Sequence, residues 1–283
     1  MTSERFLIVG TGLIGGSIAR RLKEKGCLVD GIDSDELTLA YGHEEGLLDR
    51  SNATHPMSQL IEEATFIILC LYPLSQIDWV KAHKNEMKQH PLVIDVAGVK
   101  GACYPQCKQL LTGVADYIAT HPMAGREKSG IINSSAQLFH GANLILIEDG
   151  ADDKAKERVL KLAECLGFGR IIACDAATHD QRIAFLSQLS HILAVSLMNT
   201  HPGEDLAVYS GDSFRDLTRI AKINEEMWSE LFLLNQSVLL EELKSFQKQL
   251  QTFTNALEQG DREAMKEMMQ LSTSEREKFD EAK

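Results

Sequence analysis

Over the first 174 positions, apolar residues cluster in short runs separated by longer amphipathic stretches. Residues 6–9, 27–33, 66–71, 92–95, 117–120, 144–147 and 170–174 read as strands, several of them apolar at every position and so buried on both faces. Helical periodicity lies between most of them. Ile14, Ile18 and Leu22 recur at helical spacing ahead of Gly26, a helix-ending glycine, and residues 153–165 form the clearest helix. Strands alternating with helices predict an α/β fold, a doubly wound and mostly parallel sheet covered on both faces. Ligands of such sheets lie beyond the carboxyl ends of the strands. Gly10, Asp33, Tyr72, Gly98 and His121 should therefore gather on one edge.

Past Cys174 the pattern changes. No further strand-like run follows, and residues 179–198 and 225–250 each have the length and periodicity of a long helix. Trp228, Leu231, Phe232, Val238, Leu239, Leu243 and Phe246 make a stripe broader than one exposed helix needs, as in a bundle or a dimer interface. The expected division is residues 1–174, an α/β domain, and residues 175–283, an all-helical domain, the last 23 residues being a charged tail.

Composition narrows the function classes. With 283 residues, 44% of them hydrophobic, the chain buries a sizeable core. A net charge of −12 argues against nucleic acid or an anionic membrane as partner, so an anionic substrate needs a local cation cluster. No apolar run is expected to span a membrane and the first residues lack a signal-peptide core, which gives a cytoplasmic reading. The six cysteines fit reduced, structural thiols. Cys103 and Cys107 lack the second Cys or His pair of a zinc site, so no metal is expected.

The chemistry begins at Gly10-Thr-Gly-Leu-Ile-Gly15, a G-x-G-x-x-G turn between strand and helix. Such a turn cradles a pyrophosphate on backbone N–H groups at a helix N-terminus. Asp33, 18 residues after Gly15, stands where a carboxylate accepts the ribose hydroxyls and repels a 2′-phosphate, which points to NAD rather than NADP. Gly10, Gly12, Leu13, Ile14, Gly15, Asp33, Leu71 and Tyr72 are the expected cofactor contacts. His121 follows a strand directly in this reading, and a histidine beside a nicotinamide suits proton abstraction from an alcohol as hydride leaves. His179 and His191, 12 apart, fall near one face of an α-helix. Asp216 and Arg219 are three apart and face one another on a helix, either as a surface ion pair or with Asp216 orienting Arg219 toward a substrate carboxylate.

These residues together resemble the prephenate/arogenate dehydrogenase family. The resemblance rests on Gly10-Thr-Gly-Leu-Ile-Gly-Gly16, Asp33, Asp95-Val-Ala-Gly-Val-Lys100, His121-Pro-Met-Ala-Gly125, His179-Asp180 with His191, and Phe214-Arg-Asp-Leu-Thr-Arg-Ile-Ala221. It implies a Rossmann-type NAD-binding domain followed by an all-α dimerisation domain, and an NAD-dependent oxidative decarboxylation. His121 would be the catalytic base toward a ring hydroxyl. Arg219, held by Asp216, would bind substrate carboxylate, with His179, His191, Gly98, Gly125 and Arg126 around the substrate and Trp228 a pocket-side aromatic. Helical domains of two chains would interlock in a homodimer. Prephenate is the expected substrate and arogenate the alternative. Three positions depart from the family pattern: Gly98 replaces a frequent serine, Arg126 a frequent Thr or Ser, and Gln188 and Ser190 interrupt a frequent Ser-His-Leu-Pro-His. A β-hydroxyacid dehydrogenase would rely on a helical-domain lysine, and none stands out here. A non-catalytic dinucleotide sensor would have no use for His121 and Arg219.

Overall fold

A computed structural model describes residues 4–126, 128–148, 150, 152–201 and 205–281. They form two compact units, residues 1–235 and 236–283. The first is built on one eight-stranded sheet of order β3-β2-β1-β4-β5-β6-β7-β8. Its strands are β1 (Arg5–Val9), β2 (Leu28–Ile32), β3 (Arg50–Ser51), β4 (Phe66–Leu69), β5 (Leu92–Asp95), β6 (Asp116–Pro122), β7 (Asn143–Ile147) and β8 (Arg170–Cys174). The first six strands follow the doubly wound order 3-2-1-4-5-6 of dinucleotide folds. Every neighbouring pair is parallel except β6–β7, where Thr120, His121 and Pro122 run antiparallel to Leu146, Ile145 and Leu144.

Helices α1 (Leu13–Glu24), α2 (Glu36–Glu44), α3 (Met57–Glu63), α4 (Pro73–His83), α5 (Tyr104–Leu111) and α6 (Asp153–Leu166) connect the strands. Alternation along β1 divides the core. Phe6 and Ile8 face one layer with Ile18, Leu22, Val159 and Leu162 of α1 and α6, whereas Leu7 and Val9 face Leu60, Val80, Cys107 and Leu111 of α3, α4 and α5. The sheet is thus covered on both faces.

After β8 come α7 (Ala176–Ile183), a π-helical segment (Ala184–Leu189) and α8 (Ser190–Thr200), continuous as one 25-residue helix. An 18-residue window of this helix has a mean hydropathy of 1.3, so by length and composition alone it is apolar enough to cross a membrane, contrary to the sequence expectation. Its first half docks on the sheet and the segment after β5 through the buried His179 and Asp180, while buried Gln188 faces Leu231 and Asn235, which marks a core helix there. The second half is less covered: Leu197 and Met198 are exposed in the single chain. Then follow α9 (Asp212–Thr218), a short 3₁₀ turn (Arg219–Ala221) and α10 (Glu225–Leu234). The expected single helix over 225–250 is divided at Asn235, whose side chain turns inward and is 4% exposed. The second unit is a helical hairpin of α11 (Gln236–Glu258) and α12 (Arg262–Glu281), so the charged tail is helical.

Candidate active site

The glycine turn is shaped by two close approaches and one open face. Gly10 has φ +88°, and a Cβ there would stand 2.5 Å from the Cys70 carbonyl oxygen. A Cβ on Gly15 would stand 2.0 Å from the carbonyl oxygen of Gly10, so the helix can begin only with glycine at that place. Gly12, by contrast, meets no atom within 4 Å and presents bare backbone outward. Helix α1 has neither a capping side chain nor an acid in its first turn. Asp35, Asp152, Asp175 and Asn224 cap α2, α6, α7 and α10. The uncovered N–H groups of α1 therefore retain their affinity for an anion, and the turn fits a dinucleotide pyrophosphate. Leu13 and Ile14, half-buried, open that helix, while Leu71 and the partly exposed Tyr72 follow β4 on the same edge.

Asp33 follows β2 and is half-buried. Its Oδ2 accepts from Thr11 N at 2.7 Å and Thr11 Oγ1 at 2.9 Å, and its Oδ1 accepts from Asp35 N. The carboxylate thus ties the glycine turn to β2, a contact that sequence spacing does not reveal. The cap of α2 is Asp35, not Asp33.

His121 lies within β6, not after it. Its Nδ1 is 2.9 Å from His179 Nε2, and His179 Nδ1 is 2.7 Å from Asp180 Oδ1. Asp180 also accepts from the backbone N–H groups of Lys100, at 2.8 Å, and Gly101, at 2.7 Å. The fully buried Lys100 ammonium donates to Asp95 Oδ1 and to the carbonyl of Thr120, the residue before His121. Tyr117 Oη donates to Asp95 Oδ2 at 2.6 Å. The segment from Asp95 to Gly101 therefore fixes both ends of the histidine pair: backbone on Asp180, side chain on the strand carrying His121. Burial, then His179 and the charge on Lys100, hold the His121 imidazole well below the usual histidine range. Burial also lowers His179, although Asp180 pulls the other way.

On the outer side of His121, a Cβ at Gly98 would lie 4.0 Å from Nε2 and 3.5 Å from both Leu231 methyls. Leu231, 8% exposed, belongs to α10 and covers this spot. Gln188 Nε2 donates to the Leu231 carbonyl, and Asn235 Nδ2 donates to Gln188 Oε1 and to the Asp180 carbonyl. Gln188, one of the departures from the family pattern, thus belongs to a buried polar clamp between the π-helical segment and α10. Its burial within an apolar run was the available signal, but its partners were not readable.

The remaining expected residues are distributed differently. The π-helical segment breaks the 3.6-residue register between His179 and His191, so the shared face expected from α-helical spacing does not form. His179 packs on His121, whereas His191 stacks on Trp228, ring centroids 3.8 Å apart, with Nδ1 against the Ser187 carbonyl. Helix α9 stops at Thr218, so Asp216 lies in its last turn and Arg219 opens the 3₁₀ turn that continues it. Both are exposed, and the turn bearing Arg219 packs against α8, the helix that carries His191. Gly125 and Arg126 are exposed beyond β6; the neighbouring Glu127, a sequence-adjacent candidate for an ion pair with Arg126, lies outside the described residues. All six cysteines are free, and no metal-binding cluster occurs among the described residues.

Residues 18–172 match the family model "Prephenate dehydrogenase, nucleotide-binding domain" and residues 175–271 the model "Prephenate dehydrogenase, dimerization domain". A prephenate dehydrogenase of Bacillus subtilis is 30% identical over 268 residues, covering 92% of this chain and 72% of the relative. The crystal structure of Aquifex aeolicus prephenate dehydrogenase in complex with hydroxyphenyl propionate and NAD⁺ superposes with a TM-score of 0.88 at 26% identity, covering 99% of each chain. Synechocystis arogenate dehydrogenase superposes with a TM-score of 0.81 at 25% identity, covering 97% of this chain and 99% of that one. With both of its domains matched in order and a homologue aligned over most of its length, the chain belongs to the prephenate dehydrogenase family.

Proposed function

We propose that this enzyme converts prephenate to 4-hydroxyphenylpyruvate and CO₂, with NAD⁺ as oxidant. The observation that carries the reading is a half-buried histidine, its imidazole held below the usual histidine range, whose outward nitrogen lies beside Gly98 on the edge where the glycine turn opens. Bound NAD⁺ supplies the hydride acceptor. Gly10, Gly12, Gly15 and the α1 N-terminus hold its pyrophosphate, and Asp33 its ribose, which favours NAD over NADP.

His121 Nε2 takes the proton of the ring hydroxyl as the C–H bond at that carbon breaks. The ring ketone so formed is conjugated to the carbon bearing the carboxylate, so it receives the electrons left when CO₂ departs, and aromatisation drives the step. Depression of the imidazole keeps that nitrogen free to accept at neutral pH. Leu231 excludes water beside it. Arg219 binds a substrate carboxylate with its planar guanidinium, Asp216 orients it, and His191, Gly125 and Arg126 border the same substrate. His179, expected beside the substrate, stands behind His121 instead. Residues 1–174 carry the cofactor, and residues 175–283 complete the substrate side and pair two chains into a homodimer.

Absorbance of NADH, together with product analysis, tests this. Prephenate and arogenate are each offered with NAD⁺ and NADP⁺. The highest kcat/KM is expected for prephenate with NAD⁺, His121→Asn lowering chiefly kcat and Arg219→Ala chiefly raising KM. A preference for arogenate, giving tyrosine, would overturn the substrate assignment; an undiminished kcat in His121→Asn would overturn the base.

A further inference from the structure

The hydrogen-bond chain behind His121 has a direction. Asp180 offers only acceptors to its neighbours: its two oxygens already take the N–H groups of Lys100 and Gly101, and His179 Nδ1 is the third group against it. His179 must therefore carry its proton on Nδ1, which leaves Nε2 as a lone pair. That lone pair faces His121 Nδ1 at 2.9 Å, so the His121 proton sits on Nδ1. The proton-free nitrogen is then Nε2, the one aimed at Gly98 and Leu231. We infer that His179 and Asp180 are positioning residues that set the tautomer of His121, so that its outward nitrogen is a base before substrate arrives. The inference rests on the reading of His121 as base and gives His179 a role other than substrate contact, in keeping with its 1% exposure.

The arrangement also handles the charge that the reaction creates. When the hydroxyl O–H bond breaks and an N–H bond forms at Nε2, His121 becomes a cation in a buried place already near Lys100. Its Nδ1–H stays on His179, whose own Nδ1–H stays on the Asp180 carboxylate. No second proton moves. The negative charge two steps away stabilises the new cation through a fixed chain of dipoles, in the manner of the buried carboxylate behind a catalytic histidine. The titratable and charged groups around the pair are Asp95 and Lys100 from β5 and the segment after it, Tyr117 from β6, and Asp180 from α7. Asp95 is engaged by Lys100 and Tyr117 and acts on His179 only through space, whereas Asp180 is the carboxylate hydrogen-bonded to the pair.

Nitrogen NMR of the whole protein, labelled with ¹⁵N-histidine and free of substrate, tests the assignment. His121→Asn and His179→Phe identify the two sets of ring signals. The expected spectrum has protonated Nδ1 and unprotonated Nε2 on both rings, and an Nε2–H form of His121 would overturn the inference. His179→Phe keeps an aromatic ring in the slot but removes the acceptor. His121 should then divide between tautomers, and kcat should fall on the order of 10- to 100-fold with KM little changed. His179→Gln, which keeps an acceptor opposite Nδ1, should recover part of that loss; it also serves if the Phe variant does not fold. An unaltered tautomer and kcat in both variants would overturn the inference. If the tautomer is as stated but His121→Asn keeps its kcat, the base assignment fails and the relay stands.

Discussion

Replacing Lys100 by Met tests the polar cluster under the active edge. Lys100 and Asp95 side chains are both 0% exposed, and the ammonium is shared between the carboxylate and the Thr120 carbonyl. A buried pair of this kind contributes little net stability, because each charge was costly to desolvate; removing one partner is different, since the other stays buried and uncompensated. The expected loss is about 3–5 kcal/mol. Asp95 would keep only Tyr117 Oη and the Ala97 N–H as donors. Against a typical unfolding free energy of about 5–15 kcal/mol, the variant loses a large part of its margin. Urea unfolding followed by tryptophan fluorescence, at one fixed protein concentration, gives the value from the midpoint at constant slope. Adding Asp95→Asn removes the orphaned charge while its carbonyl still accepts from Ala97 and its amide faces Tyr117, so the double variant should be more stable than Lys100→Met alone. Loss of the Lys100 charge also removes one of the forces depressing His121, and the acid limb of kcat/KM should move to higher pH. A single variant within about 1 kcal/mol of the parent, or a double variant no better than the single, would refute the reasoning.

Gly15→Ala forces a methyl against the Gly10 carbonyl and should both destabilise the fold, by about 1–3 kcal/mol, and weaken NAD⁺ binding by calorimetry. Gly12→Ala meets open space, so its melting temperature should hold while NAD⁺ affinity falls; unchanged affinity would contradict a pyrophosphate there. Gly98→Ser places its Cβ in ordinary contact with Leu231 and should change stability by no more than about 0.5 kcal/mol while retaining turnover, checked by thermal unfolding and kcat. His121, His179 and His191 are all lowered by burial, so as pH falls below about 6.5 the unfolded chain binds protons that the folded one refuses. Stability should be fully present above that pH and decline below it, by up to about 1.4 kcal/mol per pH unit for each histidine, and a flat profile from pH 7 to 5 would count against their burial.

Unbroken apolar runs were enough to find the central strands, because burial on both faces leaves a compositional mark. β3, two residues long, has no such mark. Extension of β6 through His121 and Pro122 was hidden because proline reads as a strand end, although here those residues pair with β7 at the strand's last positions. The glycine turn and the place of His121 at the end of a sheet strand were legible, since a glycine triplet and a strand end are local signals. The relay was not, because it joins residues 58 positions apart. Nor was the helix break at Asn235, where tertiary hydrogen bonds to Gln188 and Asp180 override a pattern that continues apolar on either side. The π-helical segment likewise escapes residue counting, and it changes the α-helical register on which the placing of His179 and His191 near one face relied.

Strand β6 is parallel to β5 over residues 116–119 and antiparallel to β7 over residues 120–122. His121, the proposed base, is consequently anchored by the sheet itself, and residues 123–126 after the strand are connecting chain. On the proposed assignments, reaction type and substrate choice are written on separate pieces of chain: the first on a ladder that opens only when the sheet does, the second on turns and helix ends that tolerate exchange. Variants selected for a different ring side chain should therefore accumulate changes around Arg126, His191 and Arg219, and leave the stretch from Asp116 to Pro122 alone.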